Sequence, residues 1–570
     1  MVIQAIKVYE MVIAHQGLKL SLPKTKLYKR GSHGGVASVA DACKAIGIVP
    51  VTGFLAGGAP VGDAEFIQDE LRGFFDGIAD VCDKIRQLYL SNKHTGNSKQ
   101  DIYRIIRWCV SPSMTNHMLR ALAPDVIRQH VARFDMAVYR LTLTLLDTND
   151  DDELCTLLNA DGLLTHDIVR LRASMGGLSI CSAAKTAHQA YLGSLCLVFP
   201  LIKAALGDSF DTAAATNLFP DLARAFSDGS LTAIKAFEGV TIDTLMGKAV
   251  DKAQRALGGV GARKLAADVL ERIVDPKDKA WFLSGREHGA TWLSAYAGYG
   301  QSKLTDNQWS TLVRSRLNLV VVKGFDGTDT ACPNCADSAT ALSEPARRLQ
   351  RNGTHALTCQ QTGQGGARGQ RTTRAQYMRG TLIAALKTVA RKSDLGSDYL
   401  GDREPAVTDF YPAKPDVDIT AKNRADFAVF MKGATYLADA VLTHPNPASH
   451  PTSVKKSGAA AAAASTKKLT SYNNLFVIPV GRLVPFSYET GGFVDPDTLN
   501  FIRTFVKYGM AEGDETEPEW TPYNRAEYQR RCRSVCESIS ISIARSVANT
   551  LITGSVALSS RRLATAAPRP

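Results

Sequence analysis

Apolar residues recur at helical spacing through most of the first 300 residues of the chain. The segments EFIQDELRGFFDGIADVCDKIRQLYL and DVIRQHVARFDMAVYRLTLTLLD place an apolar residue at about every third or fourth position, as an amphipathic helix does. After a break at Gly176-Gly177, the segment SAAKTAHQAYLGSLCLVFPLIKAAL shows the same spacing. This pattern predicts an all-α block over this part of the chain.

The pattern changes after residue 360, where helical and strand-like segments alternate. AQYMRGTLIAALKTVARK is typical of an amphipathic helix, and REPAVTDF, AKPDVDI and TYLADAVLTHP are typical of short strands. An Ala-rich helix, SGAAAAAASTKKLTSY, and a β-rich run, LFVIPVGRLVPFSYET, come next. The predicted order of helix, three strands, helix and strand indicates a small mixed domain.

Charged side chains fall on these predicted strands and on the helix that follows them. They are Glu404, Asp416, Asp418, Asp439, Lys467 and Lys468. Asp416 and Asp418 would share one strand face because their positions differ by two. Carboxylate oxygens suit Mg²⁺, and a lysine can stabilise charge on a phosphate, so the set favours metal-assisted phosphodiester cleavage. The alternative is that these acids lie in turns, since Pro-Asp is a common turn dipeptide.

Four residues between the two regions have the chemistry of zinc ligands. Cys332 and Cys335 form a Cys-x₂-Cys pair, and His355 and Cys359 follow after a long polar loop. Two tight pairs of sulfur and nitrogen ligands can complete a tetrahedral Zn²⁺ site, which would be structural because no open position remains. The alternative is a set of buried thiols with a solvated histidine.

Composition and charge place the chain among globular proteins with an anionic partner. Its 570 residues are 45% hydrophobic and 21% charged, with a formal net charge of +12. Excess Lys and Arg favour binding to a polyanion such as nucleic acid. We expect no membrane-spanning segment and no signal peptide. The eleven cysteines are mostly scattered, which indicates a reducing compartment rather than a disulfide framework.

Several motifs occur in a characteristic order along the chain: GLKLSLPKTKLY, MGGLSI, CPNC with HALTC, AKPDVDI, LADAVLTHP and VPFSYETGG. The last four resemble the C-terminal part of non-LTR retrotransposon polyproteins that carry a restriction-like endonuclease. In that family a CCHC zinc knuckle precedes a nuclease of the PD-(D/E)xK fold. The first two resemble the reverse-transcriptase palm after its catalytic aspartates and the helical thumb region.

The resemblance implies an α+β multidomain protein with five consecutive segments. They are a palm remnant at 1–62, a helical thumb- and connection-like region at 63–310, a linker with the zinc knuckle at 311–362, a small restriction-endonuclease-like α/β domain at 363–510, and a C-terminal helix with a basic tail at 511–570.

The resemblance also implies a function, that of a fragment of a retrotransposon reverse transcriptase and endonuclease. Such a protein would bind nucleic acid and nick target DNA with Mg²⁺. Asp416 and Asp439 would hold the metal, Glu404 would support them, and Lys467 or Lys468 would assist the attacking water. Zn²⁺ would be structural, the partners would be target DNA and element RNA, and the location would be the nucleus.

The sequence departs from the family pattern in several places, including the long knuckle loop and the His-x₃-Cys spacing, where better-known relatives have a shorter loop and His-x₄-Cys. No Phe/Tyr-x-Asp-Asp motif occurs, so we expect no polymerase activity from this chain by itself. Asp439 is not followed by a lysine two residues on, and the family's Arg-His-Asn/Asp motif corresponds here to Arg374-Ala375-Gln376. Two alternatives therefore stay open: a catalytically decayed nucleic-acid-binding remnant and an inert helical interaction protein.

Removing one zinc ligand should abolish zinc binding. We expect about one Zn²⁺ per wild-type chain, since the four ligands complete one tetrahedron, and none after Cys335→Ala. Elemental analysis of the purified chains measures this, and circular dichroism should show that the helical block stays folded. Wild-type protein without zinc, or a variant that keeps it, would contradict the prediction.

Overall fold

The structure is a computed structural model of the chain. It describes residues 26–28, 49–96, 98–111, 114–146, 160–295, 303–321, 353, 357, 367–391, 404–417, 419, 424–511 and 518–566. The fold is 66% helical with small sheets, which agrees with the predicted α+β class at a coarse level. The predicted zinc ligands Cys332, Cys335, His355 and Cys359 lie outside the described residues, as does Asp418.

The chain divides into two compact units. The first unit comprises Met1–Gln87, Ile106–Leu141 and Cys181–Gly261. The second unit comprises Leu88–Ile105, Thr142–Ile180 and Ala262–Pro570. The predicted nuclease segment therefore lies entirely within the second unit.

Helices account for most of the described residues between positions 63 and 320. They are α1 (Ala64–Asn92), α2 (Lys99–Ile105), α3 (Asn116–Ala121), α4 (Pro124–Thr144), α5 (Ala160–Arg170), α6 (Ala183–Leu206), α7 (Thr212–Leu218), α8 (Pro220–Ser227), α9 (Ile242–Gly247), α10 (Ala253–Arg272), α11 (Pro276–Ser284), α12 (Thr291–Ser294) and α13 (Asp306–Arg316). The all-α character predicted from apolar spacing is confirmed for these described residues.

Helix α6 packs its apolar side into the first unit. Leu192, Leu195 and Phe199 belong to a buried hydrophobic cluster. At the start of the helix, the Asp135 carboxylate accepts hydrogen bonds from the Ser182 hydroxyl and, at 2.7 Å, from the Ala183 N–H. This carboxylate therefore satisfies an N–H group that a helix N-terminus leaves without an intrahelical partner.

Among the described helices, α6 alone is long and apolar enough to cross a membrane. In the structure, 33% of its apolar window is buried. A helix in the core of a soluble protein meets the same criteria of length and composition, so α6 is weak evidence for a membrane span.

Four short strands precede the helices. Strands β1 (Lys26–Tyr28) and β2 (Val49–Val51) pair in parallel, and β3 (Gly53–Ala56) pairs with β4 (Ala59–Gly62) as an antiparallel hairpin. The two residues of the hairpin turn, Gly57 and Gly58, have φ angles of 58° and 86°. Glycine suits this turn because both central residues need a positive φ.

The second unit contains a three-stranded sheet in the order β5-β6-β7. In chain order its elements are α14 (Ala367–Arg391), β5 (Phe427–Met431), β6 (Ala434–Thr443), α15 (Ala459–Leu475), β7 (Leu483–Glu489), α16 (Pro496–Tyr508) and α17 (Pro522–Ala566). Strand β5 is antiparallel to β6, whereas β7 is parallel to it. A parallel pair needs a long crossover connection, and α15 provides it.

The strand predictions for this region are partly wrong. β6, β7, α14 and α15 confirm the predicted elements at those positions. The segment REPAVTDF instead forms a bridge at Ala406 and a 3₁₀ turn at Val407–Asp409, and AKPDVDI forms a bridge at Ala413 and a turn at Pro415-Asp416. Strand β5 was not predicted from the sequence. Its continuous apolar run FAVFM is almost wholly buried. It therefore lacks the alternation of apolar and polar residues that is typical of a half-buried strand.

A buried carboxylate anchors the start of α15. Glu489, the last residue of β7, is 1% exposed, and its Oε1 atom accepts hydrogen bonds from the N–H groups of Ala460 and Ala461 at 2.9 and 3.2 Å. Burial raises the pKa of Glu489, and the two N–H donors oppose that rise. The contact ties α15 to β7, the strand that follows it in the chain.

Replacing Glu489 with Leu should loosen the first turn of α15. The change leaves two helix N–H groups without their acceptor, which costs about 1–3 kcal/mol for a buried group. We expect faster hydrogen exchange over residues 459–463, measured by mass spectrometry. Glu489→Gln keeps an acceptor oxygen and is the matched control. Unchanged exchange in Glu489→Leu would show that Glu489 does not anchor the helix.

Candidate active site

Asp439 lies in β6, the central strand of the sheet, and its side chain meets α15. The residue is 5% exposed. Its Oδ2 atom lies 2.7 Å from Lys468 Nζ and 2.7 Å from Tyr472 Oη. A carboxylate this deeply buried needs charged or hydrogen-bonding partners, and α15 supplies both.

Lys468 and Tyr472 reach Asp439 together because they are four residues apart and share one face of α15. Tyr472 Oη also lies 2.8 Å from the carbonyl oxygen of Arg424, so its single proton can be donated to either acceptor. Burial, and next the charge of Asp439, raise the pKa of Tyr472. Tyr472 therefore stays protonated and can act as a donor that orients Asp439.

A second carboxylate, Asp426, stands beside Asp439. Asp426 immediately precedes β5, whose first residue, Phe427, pairs with Ala438 of β6. The backbone N–H of Ala440 donates to Asp426 Oδ2 at 2.7 Å. Burial is the main cause that raises the pKa of Asp426, and the negative charge of Asp439 raises it further. Because Phe427 pairs with Ala438, Asp426 just before β5 lies across from Asp439 of β6.

Arg379 on α14 offsets part of this negative charge. Its Nη1 atom lies 3.3 Å from Asp426 Oδ1 and also donates to Glu404 Oε1. The hydrogen bond to Glu404 is the main cause that raises the pKa of Arg379. Glu404, whose side chain is about half exposed, is therefore joined to the aspartates through Arg379.

The structure brings together some of the site residues predicted from the sequence and not others. Asp439 and Lys468 form an ion pair. Glu404 binds Arg379, which in turn contacts Asp426. Lys467 is exposed on α15. Asp416 is also exposed and lies in a turn with a φ of 64°, as the alternative interpretation of Pro-Asp expected.

Three residues of the site were missed or left without a role by sequence reasoning. Asp426 could have been found from its position, since RADFAVFM places an acid at the entrance to an apolar run. Tyr472 had a weaker signal, one helical turn after Lys468. Arg379 had none, because it lies far from Asp426 in sequence and meets it only through tertiary packing.

The pair of aspartates has the chemistry of a Mg²⁺ site. Mg²⁺ is a hard ion that proteins often hold through one or two carboxylates, with water and substrate phosphate completing its shell. Asp426 and Asp439 supply two such groups, each of which also contacts a side-chain cation, Arg379 or Lys468. Among the described residues, no group of three or more His, Cys, Asp and Glu residues could hold a metal. Any ion here would therefore depend on water and substrate for its other ligands.

Comparison with known proteins gives no independent assignment. The chain matches no protein-family model, and no curated protein is significantly similar to it.

Replacing Tyr472 with Phe should destabilise the second unit. The Arg424 carbonyl oxygen and Asp439 Oδ2 would lose a donor, at a cost of about 1–3 kcal/mol in the free energy of unfolding. Denaturant titration followed by tryptophan fluorescence measures this. Ser471→Ala changes the exposed neighbouring residue and should alter stability by less than about 0.5 kcal/mol. Equal stability of Tyr472→Phe and Ser471→Ala would remove Tyr472 from the account of the site.

Proposed function

We propose that the chain hydrolyses phosphodiester bonds of DNA at the site formed by Asp426, Asp439 and Lys468. The observation that carries the proposal is the contact between Lys468 Nζ and the buried Asp439, beside a second carboxylate, Asp426, that immediately precedes the neighbouring strand β5. Two carboxylates and one cation are the groups that metal-assisted cleavage of a phosphodiester requires. The proposal keeps the class of reaction predicted from the sequence and transfers one ligand role from Asp416 to Asp426.

In the proposed reaction, a water molecule attacks a phosphorus atom of the DNA backbone. One P–O ester bond breaks, and the leaving oxygen takes up a proton. Asp426 and Asp439 would hold Mg²⁺, which when bound offsets charge on the phosphate and makes water more acidic. Lys468 would stabilise the negative charge that develops on the phosphate oxygens. Tyr472 and Arg379 would keep the two carboxylates in position.

We also propose an identity for the protein as a whole, from the order of its sequence motifs. The motif order favours a fragment of a retrotransposon reverse transcriptase and endonuclease, with structural Zn²⁺ at the knuckle and with target DNA and element RNA as partners. The palm carboxylates are missing from the sequence, so we expect no polymerase activity from this chain by itself. A nuclear location has no support beyond the resemblance.

A second candidate is a nucleic-acid-binding remnant that no longer cleaves. One observation favours it: the described residues contain no cluster of three ligand-type side chains, so metal affinity without substrate would be low. In this alternative the protein would still bind nucleic acid through its basic residues but would no longer cleave it.

Nicking of supercoiled plasmid by the purified chain, with and without Mg²⁺, tests the proposal. We expect nicking that depends on Mg²⁺ and is lost in Asp426→Asn and in Asp439→Asn. Lys468→Met should slow the reaction by about 10²–10³-fold, as expected for loss of one group that stabilises the transition state. Gel analysis of the nicked fraction over time gives the rates.

Asp416→Asn is the matched control, because it removes an exposed carboxylate that lies in a turn. It should nick at the wild-type rate. Loss of nicking in Asp416→Asn with normal nicking in Asp426→Asn would return the metal-ligand role to Asp416. Equal nicking by all variants would identify a contaminant, and intact plasmid with the wild type would favour the remnant.

A further inference from the structure

Helix α15 presents two faces with different chemistry. The inward face carries Lys468 and Tyr472 to Asp439. The opposite face carries an exposed line of residues spaced four, three and four positions apart, which places them on one side of the helix. These residues are Ala463, Lys467, Thr470 and Asn474, and we call them the outward stripe.

The chain segment that carries the outward stripe has an excess of exposed positive charge. Between Phe427 and Glu489 the sequence contains six basic residues and two acidic ones. The basic residues are Lys432, Lys455, Lys456, Lys467, Lys468 and Arg482, and the acidic ones are Asp439 and Glu489. Both acids are buried, at 5% and 1% exposure, so every exposed charge of this segment is positive. Such a surface is complementary to a polyanion.

The N-terminus of α15 is not available to a phosphate group. Helix N-termini often bind phosphate through their N–H groups. Here Glu489 already accepts hydrogen bonds from the N–H groups of Ala460 and Ala461. A phosphate that approaches α15 would therefore meet its side chains, and Lys467 is the exposed cation among them.

The side chains of the outward stripe distinguish between classes of polyanion. None of them is aromatic, so the stripe lacks the rings on which single-stranded nucleic acids stack their bases. None is a large apolar residue, as a membrane-surface helix requires. Small and polar residues beside one lysine suit a duplex, where Lys binds phosphate and Thr and Asn can hydrogen-bond to phosphate or base edges.

We propose that the outward stripe of α15 is a contact surface for duplex DNA, with Lys467 paired to a backbone phosphate. The inference rests on the proposed function, because it assigns the second face of the helix whose first face carries Lys468. Because the stripe faces away from Lys468, the phosphate bound by Lys467 would be a different one from the phosphate cleaved beside Asp439.

Duplex binding without cleavage tests this assignment. The full chain is titrated against a fluorescein-labelled 30-base-pair duplex in EDTA, and anisotropy gives the dissociation constant at several salt concentrations. Lys467→Ala should weaken binding several-fold and lower the slope of log affinity against log salt by about one, since one phosphate contact is lost. Lys467→Glu should weaken binding further, and Asn474→Ala should weaken it with an unchanged salt slope.

Lys264→Gln is the matched control, since it removes an exposed lysine from α10, outside the segment 427–489 that carries the outward stripe. It should bind as the wild type does. Wild-type affinity in Lys467→Ala, an equal loss in Lys264→Gln, or preference for single-stranded over duplex DNA would each overturn the assignment.

The outcomes separate this surface from the nuclease proposal. Weaker binding in Lys467→Ala with no nicking by the wild type would keep the surface and reject the chemistry. Normal nicking by the wild type, together with unchanged binding in Lys467→Ala, would support the nuclease proposal and reject the contact surface. Failure of the wild type to bind the duplex at all would reject the surface.

Discussion

The ion pair between Lys468 and Asp439 joins α15 to β6, the central strand of the sheet in the second unit. Removing a carboxylate from water is costly unless a cation or hydrogen-bond donors replace the solvent. Here Lys468 Nζ and Tyr472 Oη converge on the same oxygen, Asp439 Oδ2. The burial of Asp439 therefore depends on these two donors from α15.

The sheet and α15 hold this pair in place. Because β6 and β7 are parallel, the chain must cross over between them, and α15 makes that crossing directly above Asp439. Glu489 fixes the start of the helix, and the hairpin of β5 and β6 brings Asp426 next to Asp439. The geometry of the site thus follows from backbone topology, and its electrostatics follow from the residues placed on it.

The sequence predicts part of this arrangement well. The helices between residues 64 and 294, the strand that bears Asp439 and the Ala-rich helix that bears Lys468 are found among the described residues, whereas four short strands within residues 26–62 depart from the predicted all-α block. The choice of Asp416 depended on a Pro-Asp dipeptide, whose preference for turns prevailed over its resemblance to a nuclease motif. A single sequence also could not show that Arg379 meets Asp426, because that contact joins residues 47 positions apart.

We propose that Asp426 and Asp439 form one divalent-metal site. Titration of the chain with Mn²⁺, followed by the loss of the free-ion signal in electron paramagnetic resonance, tests this without requiring DNA or turnover. We expect a short duplex to strengthen Mn²⁺ binding and Asp426→Asn to remove the bound ion, whereas Asp416→Asn should keep it. Equal Mn²⁺ binding by the wild type and Asp426→Asn, with and without the duplex, would contradict it.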